Sequence, residues 1–449
     1  MLQPKKIALY SLLLLPYTLM AKAGFSKQRL DAAPYADSTR QVFHAIVDKK
    51  GTGNYTTLQQ AIDRAPAGRT TPWLIFIKNG RYEELVRIPA NKPFLHLIGQ
   101  DRDSVVITFK INCANPENPK DAGKEFSKKK WNQSDCATVT AEAPDFYAEN
   151  ISFENAWGVE AQSGPQALAL KTNNDRFAFY HCRFRSFQDT WMTSTKGIND
   201  RTYASDCWIE GAVDYFYGGG NAWVEHSTLY NVRSGSVIVA PSHREGTKWG
   251  YVFDHCTVDG NTAAADGRVK LGRPWHHQPV AVFLNTTMKI NPHREGWTDM
   301  GPAAKLFAEY NSRKEDGQPV DLAQRRTWYQ QSQGEGGRRI DGLKAELSAT
   351  EAAAYTYEQV TGGEDHWNPR AYFVPVPQPA QLRLAAKKLT WKAAPKAIGY
   401  VVYRDKEVVG FTAVPSFQLP KRAKGKGVYT VQGINPYGSL GALSAGVVW

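Results

Sequence analysis

Four polar side chains fall at intervals that suit acyl transfer. Gln166 is followed after 22 and 23 residues by Gln188 and Asp189, and Asp214 stands 25 residues beyond Asp189. Arg273 follows Asp214 by 59 residues. Two carboxylates held close together couple, and a guanidinium beside them keeps one ionised while the pKa of the other rises. Such a pair provides a nucleophile and an acid. The two glutamine carboxamides are neutral donors of the kind an oxyanion hole needs for a tetrahedral acyl intermediate. Asp, Gln and Arg are also common on solvated surfaces. The chemistry therefore depends on a fold that turns these intervals into proximity.

A repeat in the main body supplies such a fold. An apolar-x-apolar run, a polar turn residue, a small or β-branched residue and a further apolar position recur six times, with the polar residue at Asn150, His181, Asp206, His226, His255 and Asn285. The residues that follow are Ile151, Cys182, Cys207, Ser227, Cys256 and Thr286, and the intervals are 31, 25, 20, 29 and 30 residues. The spacing lacks the leucine pattern of leucine-rich repeats, and its β-branched and aromatic alternation excludes helical repeats. It predicts an all-β parallel solenoid, a β-helix, whose coils stack about 4.8 Å apart, so that residues one period apart become neighbours. His181, His226 and His255 are then turn residues with a structural role. Thr57 to Asp63 reads as a short helix over the first coil, and Ser348 with Glu351 forms a capping box that opens a helix through Ala354 at the other end.

Five cysteines leave at least one unpaired within the chain. Cys182, Cys207 and Cys256 share the small inward position of the repeat and read as buried hydrophobes, although Cys182 and Cys207 lie one coil apart and satisfy the separation for a bridge. Cys113 and Cys136 bracket a polar insertion without a core of its own, which a disulfide would pin. That insertion carries Lys128, Lys129 and Lys130, a run that reads as a solvated face. No cysteine or histidine spacing matches a metal-ligand set, so no metal is expected.

With 42% hydrophobic and 22% charged residues over 449 positions, the chain is globular and exceeds the size of a single ordinary core. Lys5 and Lys6, the apolar stretch Ile7 to Met20 and Ala21-Lys22-Ala23 read as a cleavable signal over 1–23, which implies a secreted or periplasmic protein. The apolar stretch is too short to span a bilayer, and nucleic acid is not an expected partner. The expected domains are 24–370, the solenoid, and 371–449, where Pro375, Pro377 and Pro379 introduce short alternating strands of a small β-sandwich. Residues 371–449 carry eleven Lys and Arg against two acidic residues, a net of +9, while 24–370 is formally neutral. This basic module is expected to favour an anionic partner.

Four ordered motifs carry a resemblance. GPQALAL (164–170), FQDTW (187–191), DYFYG (214–218) and LGRPW (271–275) together resemble the pectin methylesterase (pectinesterase) family, over about 41–370. The LTW, GYVVYRDKEVVG and YTVQGINPYG segments resemble a fibronectin type III domain. The first resemblance implies a right-handed parallel β-helix that hydrolyses methyl esters of polygalacturonate without a metal or other cofactor, acting as a monomer. It implies Asp214 as nucleophile, Asp189 as the acid and then the base, Gln188 and Gln166 as oxyanion donors, and Arg273 as the group that orients Asp214. It also implies Trp275 as an aromatic substrate contact, with Trp191, Tyr215 and Tyr217 as further substrate-binding positions.

Departures from the family fall on Trp191 where Leu is more frequent, Tyr215-Phe216-Tyr217 in place of an apolar FIF-type run, Lys171 in place of Arg, and a longer insertion between Cys113 and Cys136. They bear on subsites more than on the reaction. His276 and His277, next to Trp275, are further candidates for substrate contact. The alternatives are a thioesterase or other ester hydrolase on the same scaffold, a calcium-dependent pectate lyase, and a non-catalytic polysaccharide binder. The last has no need of Asp189, Asp214 and Arg273 together.

Overall fold

The computed structural model describes residues 42–113, 136–332, 337–420 and 425–449. The expected signal segment 1–23, the lysine run 128–130 and the basic residues Lys421, Arg422 and Lys424 lie outside the described residues.

All six repeat positions are left-handed: φ is 57° at Asn150, 48° at His181, 52° at Asp206, 47° at His226, 50° at His255 and 49° at Asn285. Asn, Asp and His tolerate this region better than other non-glycine residues. A seventh such turn at Asn311, φ 53°, escaped the sequence reading. At each turn the chain leaves one strand and enters the next, and turn residues of successive coils contact each other. His181 Nδ1 lies 2.7 Å from Asn150 Oδ1, the His226 and His255 rings are 5.5 Å apart, and Asn311 Nδ2 donates to Asn285 Oδ1 at 2.8 Å. The small residues that follow point inward. Cys182, Cys207 and Cys256 are buried free thiols, and the disulfide joins Cys113 to Cys136, with Cα atoms 5.1 Å apart.

Successive coils feed three parallel sheets of ten, nine and eight strands. The first runs from Ala45–Val47 to Leu306–Tyr310 and the second from Gly80–Glu83 to Arg313–Lys314. The main path of the third comprises Val86–Ile88, Ala137–Ala141, Leu168–Thr172, Trp191–Met192, Val213–Gly218, Val237–His243 and Lys270–Gly272. This is the parallel β-helix. Its interior is lined by rings stacked along the axis, including Phe153 on Phe184 (5.5 Å, 6° between planes) and Phe253 on Phe283 (4.7 Å, 17°). Helix Leu58–Arg64, capped by Thr57, buries Leu58, Ala61 and Ile62 over the first coil, and Ser348 with Glu351 forms the capping box of helix Ala349–Ala352.

The C-terminal segment forms two antiparallel sheets. Ala380–Ala385, Lys388–Lys392 and Ser416–Gln418 make one; Gly399–Arg404, Glu407–Thr412, Val428–Ile434, Leu440–Leu443 and Val447–Val448 make the other. Leu389, Trp391, Tyr400, Val402, Tyr429 and Val431 fill the space between them. Alternation sends Val401 and Tyr403 the opposite way. There, with Val408, Phe411 and Ile434, they join Leu74, Phe76, Ile98 and Tyr147 in a core shared with the outer face of the first β-helix sheet. The proline-rich run is therefore not a free tether: Tyr372 and Val376 are buried, and Phe373 stacks on Tyr180 at 4.0 Å.

Polar groups tie this junction as well. His96 Nδ1 meets the Tyr437 carbonyl at 2.9 Å, and the Leu440 N–H donates to Glu149 Oε1 at 3.4 Å. Burial lowers the His96 pKa to about 4 and raises that of Glu149 to about 7. Removing residues 380–449 would bare the apolar face of Leu74, Phe76 and Ile98. The truncated chain is expected to aggregate or to melt several degrees lower, which size-exclusion chromatography and thermal unfolding would show; an equally stable monomer would contradict the shared core.

Candidate active site

The third sheet carries every group singled out for chemistry, and the ladder between coils sets their order. Gln166 precedes strand Leu168–Thr172, Gln188 and Asp189 precede Trp191–Met192, and Asp214 lies within Val213–Gly218. The Ala167 N–H donates to the Gln188 carbonyl at 3.1 Å, and the Asp189 N–H to the Val213 carbonyl at 2.9 Å. Gln166, Gln188 with Asp189, and Asp214 thus occupy three successive coils. Arg273 is two coils beyond Asp214, across strand Val237–His243, whose Val239 carbonyl accepts its N–H at 2.9 Å.

Strand Val213–Gly218 is irregular where it matters. Val213 pairs with Val237 and Phe216 with Val239, so Asp214 and Tyr215 together oppose the single residue Ile238. This is a β-bulge. Strict alternation would put Asp214 and Tyr217 on opposite faces. The extra residue instead sends Tyr215 and Phe216 both into the interior and leaves Tyr217 outside, in a cluster with Leu168, Ala240 and Trp275. Asp214 has φ 50° and Asp189 φ 62°. Backbone held in this region costs free energy, and such strain gathers at functional sites.

Arg273 grips Asp214 in a bidentate pair, Nε to Oδ1 at 2.8 Å and Nη2 to Oδ2 at 2.6 Å. A planar fork matches a carboxylate in this way, whereas a lysine would supply a point charge. Both aspartates are 5% exposed. Burial raises the Asp214 pKa, and the Arg273 hydrogen bonds and charge oppose it. Burial pushes Asp189 well above the carboxylate range, the Asp214 charge pushes further, and Arg273 and Tyr217 counter. The environments separate the two acids: Asp214 is the member stabilised as an anion, and Asp189 holds the proton.

Gln166 and Gln188 are partly exposed, and their carboxamides have no hydrogen-bond partner among the described residues, which leaves their N–H groups to an incoming oxygen. The glycine of GPQ makes room for one of them. A Cβ on Gly164 would sit 2.8 Å from Gln188 Oε1. Gly218, with φ 113°, closes the DYFYG strand, and a Cβ there would lie 2.3 Å from the Thr193 carbonyl oxygen.

The expected substrate-binding aromatics divide. Trp275 is half-exposed, packs edge-on against Tyr217 at 5.5 Å and stacks on His276 at 4.7 Å, so it borders the site. Trp191 does not. It is fully buried inside the coil between Phe184 (4.3 Å) and Phe179 (4.8 Å), because the strand that begins after Asp189 turns it inward. Tyr215 is likewise interior, turned there by the bulge. Neither faces a substrate. One neighbouring cation escaped the sequence reading: the Arg233 guanidinium lies 5.1 Å over the Phe187 ring, beside Gln188, and nothing in its surrounding YNVRSG marks it.

The raised carboxyl pKa values have a cost. A carboxyl whose folded pKa lies above its unfolded value makes the native state lose stability as pH rises from the unfolded pKa to the folded one. Asp189→Asn removes that loss, so the variant is expected to melt a few °C (~2–5) above the parent near neutral pH, with the gain fading near pH 4. Thermal unfolding across pH measures this. An unchanged or lower melting temperature at neutral pH would contradict the buried, protonated state assigned to Asp189.

A family model described as Pectinesterase matches residues 44–364. Among curated relatives, Pectinesterase 31 of Arabidopsis thaliana is 32% identical over 268 residues, which is 59% of this chain and 80% of the relative. A pectinesterase of Petunia integrifolia is 28% identical over 299 residues, 64% of this chain and 74% of the relative. Among solved structures, the pectin methylesterase of Aspergillus niger is 26% identical with a TM-score of 0.57, covering 74% of this chain and 98% of that one. The pectin methylesterase from carrot shares the fold at 24% identity and a TM-score of 0.57, over 75% of this chain and 98% of that one.

Proposed function

The chain belongs to the pectinesterase family and removes methyl esters from pectin, and we propose that it does so through an acyl-enzyme formed on Asp214. The observation that carries this mechanism is the bidentate Arg273–Asp214 pair beside a second buried carboxyl. Asp214 attacks the ester carbonyl carbon, and Gln166 and Gln188 donate to the oxyanion as it forms. The carbon–methoxy bond then breaks and Asp189 gives its proton to the leaving methanol. Asp189, now a carboxylate, takes a proton from water. The hydroxide attacks the acyl carbon, the bond to Asp214 breaks, and Asp214 leaves as the carboxylate that Arg273 holds. Asp189 ends protonated, as it began. Trp275 supplies an aromatic face for a sugar ring.

The signal segment 1–23 is the basis for proposing a secreted or periplasmic protein, and among the described residues no helix is long and apolar enough to cross a membrane. The C-terminal module is proposed as fibronectin type III-like. The support is its two facing antiparallel sheets, one built from the first, second and fifth strands of the module. Arg383, Lys388 and Lys392 lie exposed on the three-stranded sheet, the one remote from the β-helix. We propose that this face holds demethylated galacturonan, an anion the reaction itself produces.

Methanol release from highly methylated pectin in EDTA, with Asp214→Ala alongside, tests the mechanism. The parent is expected to release methanol and the variant to lose at least ~10³-fold. A folded Asp214→Ala that retains activity would refute the nucleophile. The binding face is tested without truncation, by Arg383→Glu/Lys388→Glu/Lys392→Glu in the full chain. The triple variant is expected to elute from a pectate column at lower salt with unchanged methanol release, and unaltered retention would refute that role.

A further inference from the structure

One buried group beside the catalytic pair has no part in the mechanism above. Tyr217 is 2% exposed, and among the described residues no hydrogen bond of good geometry ends on its hydroxyl. A buried phenol left without a partner is costly, on the order of 1–3 kcal/mol. The bulge at Asp214–Tyr215 places Tyr217 on the outer face, so the position follows from the same irregularity that presents the nucleophile. Its ring is held from several sides: Met192 and Ala240 are its register partners on the adjoining strands, and Trp275 packs edge-on at 5.5 Å. The Thr193 N–H donates to the Tyr217 carbonyl at 2.8 Å, which fastens the strand to the coil that carries Asp189.

Resting on the mechanism of the preceding section, we propose that Tyr217 is a positioning residue for Asp189, its hydroxyl donating to that carboxylate in the interval between methanol departure and attack by water. Catalytic hydrogen bonds are commonly long in the resting site and tighten as the reaction complex forms. Asp189 carries no proton only during that interval. The phenol stays protonated throughout, since burial and the Asp189 charge raise its pKa far above the ordinary tyrosine range. It therefore donates a hydrogen bond without transferring its proton. The charged and titratable groups around the pair are Asp214, Arg273 and Tyr251, and of these Arg273 assists Tyr217 in favouring the Asp189 anion while Asp214 opposes it.

Tyr217→Phe removes one oxygen and keeps the ring. Loss of the donor raises the Asp189 pKa, so Asp189 stays protonated to higher pH. The high-pH limb of kcat/KM, where the acid is lost, is expected to move up by about one unit. At neutral pH kcat is expected to fall about tenfold, because a less acidic Asp189 gives its proton less readily to the departing methanol, with KM little changed. Tyr217→Leu, which also removes the ring, serves as a packing control and is expected to raise KM. A parent enzyme that releases no methanol would overturn the underlying mechanism. An active parent whose Tyr217→Phe variant keeps the parental pH profile and kcat would overturn the role of Tyr217 alone, and a higher melting temperature in that case would identify the hydroxyl as an unpartnered packing group.

Discussion

Distances within the site are set by the parallel hydrogen-bonded ladder between coils. Each coil advances the chain by one strand spacing of about 4.8 Å, and the register leaves no freedom to slide, since a one-residue slip would turn every inward ring outward. Asp189 donates its N–H to the Val213 carbonyl, and the Arg273 N–H goes to Val239. The backbones of Asp189 and Arg273 are thus fixed by the same ladder that holds Phe153 over Phe184 and Phe253 over Phe283. The interior supplies the rigidity and the outer face of the third sheet uses it.

The ladder is broken at the positions where chemistry requires it. A regular strand shows alternate residues to each face, which does not permit Asp214 and Tyr217 to share one. The bulge opposite Ile238 resolves this, and Tyr215 turns inward as its consequence. The left-handed backbone at Asp189 and Asp214 uses the same conformational region as the seven turn residues, with a different purpose. At the turns it redirects the chain between sheets. At the two aspartates it aims a carboxyl out of a strand while the backbone remains in the ladder. Burial of both acids beside one guanidinium then separates their proton affinities, and that difference suits Asp214 to the nucleophilic role proposed for it and Asp189 to that of the acid.

The C-terminal module shows how one strand can serve two cores. In Gly399–Arg404, Tyr400 and Val402 fill the sandwich, while Val401 and Tyr403 fill the seam with the β-helix. The module covers the outer face of the first sheet, and the candidate site stands on the third. The structure thus gives the module a part in stability, beside the polymer-holding role proposed for its basic face.

The solenoid, six of its seven turn residues and the five catalytic candidates are legible in the amino-acid sequence. These depend on local preferences, left-handed turns at Asn, Asp and His and small residues after them, and on motifs that stay contiguous in the chain. The sequence also indicated that Cys182, Cys207 and Cys256 read as buried thiols. Which aromatics face the site is settled only when the coils pack. Trp191 and Tyr215 stand next to catalytic residues in sequence yet lie in the interior, because the side a residue faces depends on the exact restart of the strand after Asp189 and on one extra residue at the bulge. Neither leaves a mark in composition or period. The docking of the C-terminal module was hidden for a similar reason: the run Tyr400-Val401-Val402-Tyr403 announces burial on both faces, but a strand pattern does not say which surface, distant in the chain, will cover the second.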